Sequence, residues 1–265
     1  IANPYLSPIN TGTLNSSAKV SSYKCIWNPL LGNSGGYMTL PFTQKHILNP
    51  FEAYILLTDS SAANKVTISE ASKSTEWNKG LSEDYQEQFG YFSTIDLLSN
   101  QTLHDRLIIR EQSGARNGKD SLDAIKLMNP GINMFSKIAD SIKLAIDSRI
   151  FQEQTIIPIE INNAAEGNYR FQLFDAFMPT NFKLVLYDNY TNKTLSLVKD
   201  SSYLFSITSD TLSKATNRFY IGKFIPKASS PLVNLLTVKI YPNPAKTALK
   251  VIFKSAVTAN SSIRL

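Results

Sequence analysis

The one string that matches a nucleophile motif is Gly32-Asn33-Ser34-Gly35-Gly36, which satisfies G-x-S-x-G. That motif works by presenting a serine on a sharp turn between a strand and a helix. Here Met38-Thr39-Leu40-Pro41 continues in extended alternation and stops at proline, so no helix follows. Both histidines, His46 and His104, lie downstream of Ser34, which does not fit the His-first order of trypsin-like enzymes. The stretch therefore reads as a glycine-rich loop. Two imidazoles and the single thiol, Cys25, cannot write an ordinary zinc site, and neither HExxH nor CxxC occurs. Each histidine is expected to be a surface or partly buried hydrogen-bonding residue. Glu83, Asp84 and Glu87 cluster in a polar stretch, with nothing to pair two carboxylates across a cleft as glycoside hydrolysis requires. Asp188 to Asn192 and Asp120 to Asp123 offer oxygen ligands of the kind calcium takes. They lack the glycine and distal glutamate of a calcium loop, and turns are expected instead. The reading is of a non-enzymatic protein with no catalytic residue, no metal and no cofactor.

A different chemistry needs only aromatic rings. If Trp27, Trp77, Tyr85 and Tyr91 shared one exposed face, the chain would suit a carbohydrate-binding or adhesive module. A further alternative makes it the inert tail of a secreted hydrolase whose catalytic domain lies upstream.

The elements that must position such residues read as strands. Ile1 to Asn49 is punctuated by Asn, Pro, Gly and Ser around short apolar pieces at Val20–Trp27 and Gly36–Leu40. Phe51–Thr58 and Lys65–Ser69, separated by a polar turn, predict a hairpin. Residues 70–90 lose periodicity and predict an exposed loop holding Trp77 and Tyr85. Tyr91–Leu98 and Asp105–Glu111 return to alternation. The segment after Asp120 predicts a turn or two of helix ended by Pro130-Gly131, and Ile142–Ile146 a strand. From Thr155 onward, six strand-like runs follow one another: 155–161, 167–174, 182–188, 194–198, 203–207 and 218–224. The turns between them are rich in Asn, Asp and Ser. This rhythm predicts an antiparallel sandwich of immunoglobulin-like size.

Charge is unevenly placed. Residues 227–265 carry Lys227, Lys239, Lys246, Lys250, Lys254 and Arg264 with no acid, which equals the whole formal charge of +6. The preceding 226 residues are neutral, which argues against a nucleic-acid partner. A basic tail could be steered to an acidic partner such as an outer-membrane barrel or anionic lipopolysaccharide; a solvated strand face is the alternative. Cys25 has no internal disulfide partner and is expected to be a small buried apolar residue. No apolar run approaches the roughly 18 residues of a membrane helix.

Near the C-terminus, Thr237–Tyr241 alternates as a strand, Pro242-Asn243-Pro244 interrupts, and Leu249, Val251 and Phe253 resume the alternation. The prolines fix φ and remove donors, so the connector joins neither ladder. Tyr241-Pro242-Asn243-Pro244-Ala245, set between Val238/Ile240 and Leu249/Val251, resembles the opening of the type A C-terminal sorting domain of cargo of the Bacteroidota type IX secretion system. The resemblance covers residues 237–265 and implies a secreted or surface-displayed passenger. Its implied partners are an outer-membrane shuttle barrel and translocon reading Tyr241, Pro242, Asn243, Pro244, Ala245, Leu249 and Val251. The domain looks cut short after Leu265, and Ile1 does not start a signal peptide, so a fragment or a processed chain is expected.

Weaker pieces resemble the passage upstream of such sorting domains in large surface proteins: residues 3–8, Trp27-Asn28-Pro29, Gly35-Gly36-Tyr37, 123–127, Gly167-Asn168-Tyr169, Leu184–Asp188, Tyr203-Leu204-Phe205 and Arg218-Phe219. They imply a β-rich module at the base of an adhesin-like surface protein and no activity. Asp120-Ser121-Leu122, Asp140-Ser141-Ile142 and Asp210-Thr211-Leu212 match the short O-glycosylation acceptor pattern of Bacteroidota envelope proteins, at Ser121, Ser141 and Thr211. The expected architecture is all-β: a jelly-roll-like sandwich over 1–150, an immunoglobulin-like sandwich over 151–226, a linker over 227–236 and an incomplete sorting domain over 237–265. The expected location is the cell surface or the extracellular space, with surface glycans a further possible partner.

Overall fold

The computed structural model describes residues 1–16, 20–58, 64–78, 91–138, 142–152, 155–177 and 184–223, and the backbone of 237–241 and 250–254. Ile1–Lys223 is one unit and Phe224–Leu265 a second. The first opens with β1 (Ile9–Asn10), β2 (Asn15–Ser16), β3 (Val20–Asn28), β4 (Gly36–Pro41), β5 (Ile47–Leu48), β6 (Tyr54–Thr58) and β7 (Val66–Thr67). Next come β8 (Tyr91–Ser99), β9 (Thr102–Glu111), β10 (Ala124–Ile125), β11 (Asn133–Lys137), β12 (Lys143–Arg149), β13 (Ile156–Asn162) and β14 (Gly167–Phe177). It ends with β15 (Leu184–Asp188), β16 (Lys193–Ser196), β17 (Ser202–Ile207) and β18 (Phe219–Lys223). Helical structure among the described residues is confined to 3-10 turns such as Thr211–Lys214. The fold is all-β, as the alternation predicts.

One mixed sheet carries eleven strands in the order β16-β15-β18-β13-β11-β12-β9-β8-β14-β17, with β10 added against β12. β12 and β9 run parallel, while the other pairs of this sheet are antiparallel. A three-stranded sheet, β4-β3-β6, belongs to the N-terminal part. The β8–β9 hairpin turns on Asn100 and Gln101, both at positive φ, which matches the right-handed twist of the strands it joins.

Successive residues of a strand face opposite sides, and β9 is buried on both. Leu107 and Ile109 enter one core with Ile95, Leu97, Ile157, Ile159, Phe171, Leu173, Leu186, Phe205, Phe219 and Ile221. Ile108 enters a second core with Phe92, Ile146, Leu31, Met38, Leu40 and Tyr54. In the first core Phe171 meets Phe205 at 4.7 Å and Phe219 at 5.0 Å, so strands from opposite ends of the sheet order face one another. Burying an aromatic or branched side chain of this size contributes roughly 1.5–3 kcal/mol.

Three expectations need correction. The boundary at residue 150 is absent: β13 pairs with β11 and β14 with β8, so strands from both sides share one sheet. Alternation says that a strand has a buried face; it does not name the neighbour. The hairpin of 51–58 with 65–69 does not form either. β6 pairs with β3 and β7 with β2, since alternation marks each run as a strand without naming the backbone edge it bonds to. The short helix after Asp120 is replaced by a turn. Asp120 Oδ1 accepts from the Leu122 amide at 2.7 Å, a local bond that competes with helix, and Ala124–Ile125 then joins β12.

Candidate functional site

Trp27 stands near the end of β3, half exposed, with its ring edge-on to Tyr37 of β4 at 5.1 Å. The glycine-rich loop between these strands seats it. Gly35 has φ +73°, and a Cβ there would run into the indole. Gly36 is equally confined, since a Cβ would come within 2.6 Å of Leu31 and 2.8 Å of Asn129. The glycines of the G-x-S-x-G string thus serve backbone approach and ring placement. Ser34 is exposed, and among the described residues no hydrogen bond links it to His46 or His104.

Phe51 and Phe174 face the same hollow from other elements. In Asn49-Pro50-Phe51-Glu52 the Glu52 amide donates to the Asn49 carbonyl, and Phe51 has φ +68°. This is the pattern of a type II turn, whose third position favours glycine or asparagine. Phe51 is 87% exposed. Phe174 sits at a break of register in β14, between Leu173 opposite Ile95 and Asp175 opposite Thr94. Such bulges re-aim a side chain. The Arg106 guanidinium lies 4.4 Å from the Phe174 ring centre. It also donates Nε and Nη2 to Asp96 at 2.6 and 2.9 Å.

These groups line a cavity of about 710 Å³ together with His46, Leu48, Asn49 and Glu52. His46 is 8% exposed, and its ring makes no hydrogen bond among the described residues. Burial and then the nearby Lys24 cation pull its pKa down to about 4, with Glu52 acting in the opposite sense. The imidazole is therefore neutral at physiological pH, with one N–H donor and one nitrogen acceptor. Lys24 is wholly buried and donates to Thr11 Oγ1, the Phe42 carbonyl and the Gln44 carbonyl at 2.7, 2.9 and 2.6 Å. Burial lowers its pKa to about 7. The Glu52 carboxylate accepts the Asn49 amide at 2.8 Å and Asn49 Nδ2 at 3.2 Å, which holds it in place.

The other residues singled out from sequence are dispersed. Trp77 is exposed and Tyr91 stacks on Phe177 at 5.6 Å; neither lines the cavity, and Tyr85 lies outside the described residues. Asp188 is buried against Arg218. Among the described residues no group of three or more His, Cys, Asp or Glu comes together to hold a metal ion. Ser121 and Thr211 are exposed, and each sits in the same local geometry: Asp120 Oδ1 accepts from Leu122 N, and Asp210 Oδ1 accepts from Leu212 N at 2.9 Å. Ser141 lies outside the described residues. Sequence reasoning missed Phe51, which it placed in a strand, although Asn49-Pro50 is a turn signal. It also missed Phe174, whose bulge leaves no local trace.

In the second unit β19 (Thr237–Tyr241) and β20 (Lys250–Lys254) form an antiparallel pair. Its register sets Tyr241 opposite Lys250, Ile240 opposite Val251 and Val238 opposite Phe253. Pro242, Asn243, Pro244, Ala245 and Leu249 lie outside the described residues. Comparison of the chain with family models, curated proteins and solved structures returned no match.

Proposed function

We propose that this chain is the non-enzymatic C-terminal part of a surface or secreted protein, exported through the type IX secretion system of Bacteroidota with its C-terminal hairpin as the address. The observation that carries the reading is the pairing of Tyr241 with Lys250, which makes the proline-containing string of the sorting-domain resemblance the connector of an antiparallel hairpin. A two-stranded pair leaves a row of backbone donors and acceptors on each outer edge. A partner can add a strand there through main-chain hydrogen bonds, with alternate side chains giving specificity. The shuttle barrel and translocon are the partners of this step. Ser121 and Thr211, exposed in matching turns, are the acceptors for O-linked glycans on the exported form.

The test is a fusion of residues 227 onward, extended to the natural end of the reading frame, to an inert reporter in a type IX-competent host. The reporter is expected outside the cell, and in the periplasm when the translocon is deleted or Tyr241 and Pro242 are replaced by alanine. Equal retention in the periplasm with and without the tail would remove the proposal.

A further inference from the structure

The cavity lined by Trp27, Phe51 and Phe174 is not used by the export reading. We infer that it binds an uncharged sugar ring of a glycan, with Trp27, Phe51 and Phe174 supplying apolar faces and His46 and Glu52 supplying hydrogen bonds. Three partly exposed rings are delivered by three unrelated elements: the end of β3, the turn at residues 49–52, and the bulge of β14. Two of the rings are held: Gly35 and Tyr37 set Trp27, and Arg106, clamped on Asp96, backs Phe174. The turn at Pro50 fixes the backbone that carries the exposed Phe51. Rings already held in place bind with little loss of side-chain freedom. The volume of about 710 Å³ falls in the ordinary range of ligand sites.

The polar groups choose among occupants. His46 is more than nine-tenths buried, lines the cavity and spends neither ring nitrogen on a hydrogen bond among the described residues. A wholly apolar occupant would strip its remaining water and return nothing, a loss for any buried donor. An anion would meet a neutral imidazole and the carboxylate of Glu52, which has no cation partner among the described residues; Arg106 is already committed to Asp96. A pyranose satisfies both requirements. Its axial C–H face packs on an aromatic ring, and its hydroxyls each donate and accept, which suits a neutral imidazole and an oriented carboxylate.

The test uses the full chain. Neutral oligosaccharides of glucose, mannose, galactose, xylose and N-acetylglucosamine are titrated by calorimetry and tryptophan fluorescence, beside a galacturonate oligomer, a fatty acid and an aromatic-rich peptide. At least one neutral series should saturate, with affinity indifferent to salt. Trp27→Ala and Phe174→Ala, both at half-exposed positions, should weaken it about tenfold or more while circular dichroism shows the chain still folded at the titration temperature. Tyr91→Ala, which alters an exposed ring outside the cavity, should leave it unchanged. His46→Gln, which keeps a donor and an acceptor, should bind more tightly than His46→Leu. Absence of binding by every neutral sugar, equal binding by Trp27→Ala, or preference for the fatty acid, the peptide or the acidic oligomer would each overturn the assignment.

Discussion

Arg218 donates Nε and Nη2 to the two carboxylate oxygens of Asp188, each at 3.0 Å, at a point where both side chains are almost wholly buried. The remaining guanidinium nitrogen, Nη1, donates to the Ser206 and Ser213 carbonyls at 2.8 and 2.7 Å, and Tyr203 donates its hydroxyl to Asp188 at 2.8 Å. The flat faces of the guanidinium meet Phe205 and Phe219. Residues scattered over some thirty positions of sequence thus fasten β15, β17 and the start of β18 to one another.

Replacing Arg218 by alanine is expected to cost about 3–5 kcal/mol, because it abandons a buried carboxylate. The double change Arg218→Met with Asp188→Leu should cost less than Arg218→Ala alone. Urea unfolding of the three proteins at neutral pH checks the order.

The same pair sets an acid limit. Burial pushes the Asp188 carboxyl up, but hydrogen bonds from Arg218 and Tyr203 outweigh it and hold the pKa below the ordinary carboxylate value. A depressed folded-state pKa contributes stability that is present above the unfolded value and lost as pH falls through the folded one. Below about pH 4, wild-type stability should therefore fall more steeply than that of Asp188→Asn, as followed by chemical unfolding at stepped pH.

Lys24 gives the opposite flank. Its folded pKa lies near 7 against the ordinary 10.5 of a solvated lysine, so between these limits the unfolded chain holds a proton that the folded one has released. Stability is expected to rise with pH across that window, and Lys24→Met should flatten the rise. Unfolding free energies measured from pH 7 to pH 10 decide it.

Gly35→Ala should destabilise by more than about 1 kcal/mol, since alanine resists the positive φ and its methyl group collides with the Trp27 ring. The displaced indole should shift its fluorescence emission, which Gly118→Ala, at an open position, should not do.

Phe51→Asn should raise stability by about 0.5–1 kcal/mol, because asparagine tolerates the left-handed region and the phenyl ring buries little. The same substitution should weaken sugar binding, a gain in stability at the expense of the site. Thermal unfolding and the calorimetric titration together test this pair of outcomes.

Strand positions were legible where a face is buried. Ile156–Asn162, Leu184–Asp188 and Ser202–Ile207 fall within a residue or two of the runs that alternation marks. Partners were not legible, because Ile95 meets Leu173 and Phe135 meets Glu160 across stretches that share no local signal. The aromatic site was half legible. Trp27 drew notice as an aromatic residue and its glycine loop as a motif, yet the ring and the loop belong together only once β3 and β4 pair. His46 looked ordinary until its burial beside Lys24 made it a neutral group lining a cavity.

The pairing of β8 with β14 joins residues roughly seventy to eighty-five positions apart, and β9 takes β12 as its other neighbour. On the ribosome, the hairpin of β8 and β9 can close as soon as it emerges and β12 can cover the β9 flank by residue 149, but the β8 flank stays bare until residue 177 has been synthesised. A nascent or truncated polypeptide ending near residue 150 therefore presents a raw strand margin, and expression trials cut there should yield aggregate where the uncut chain stays in solution.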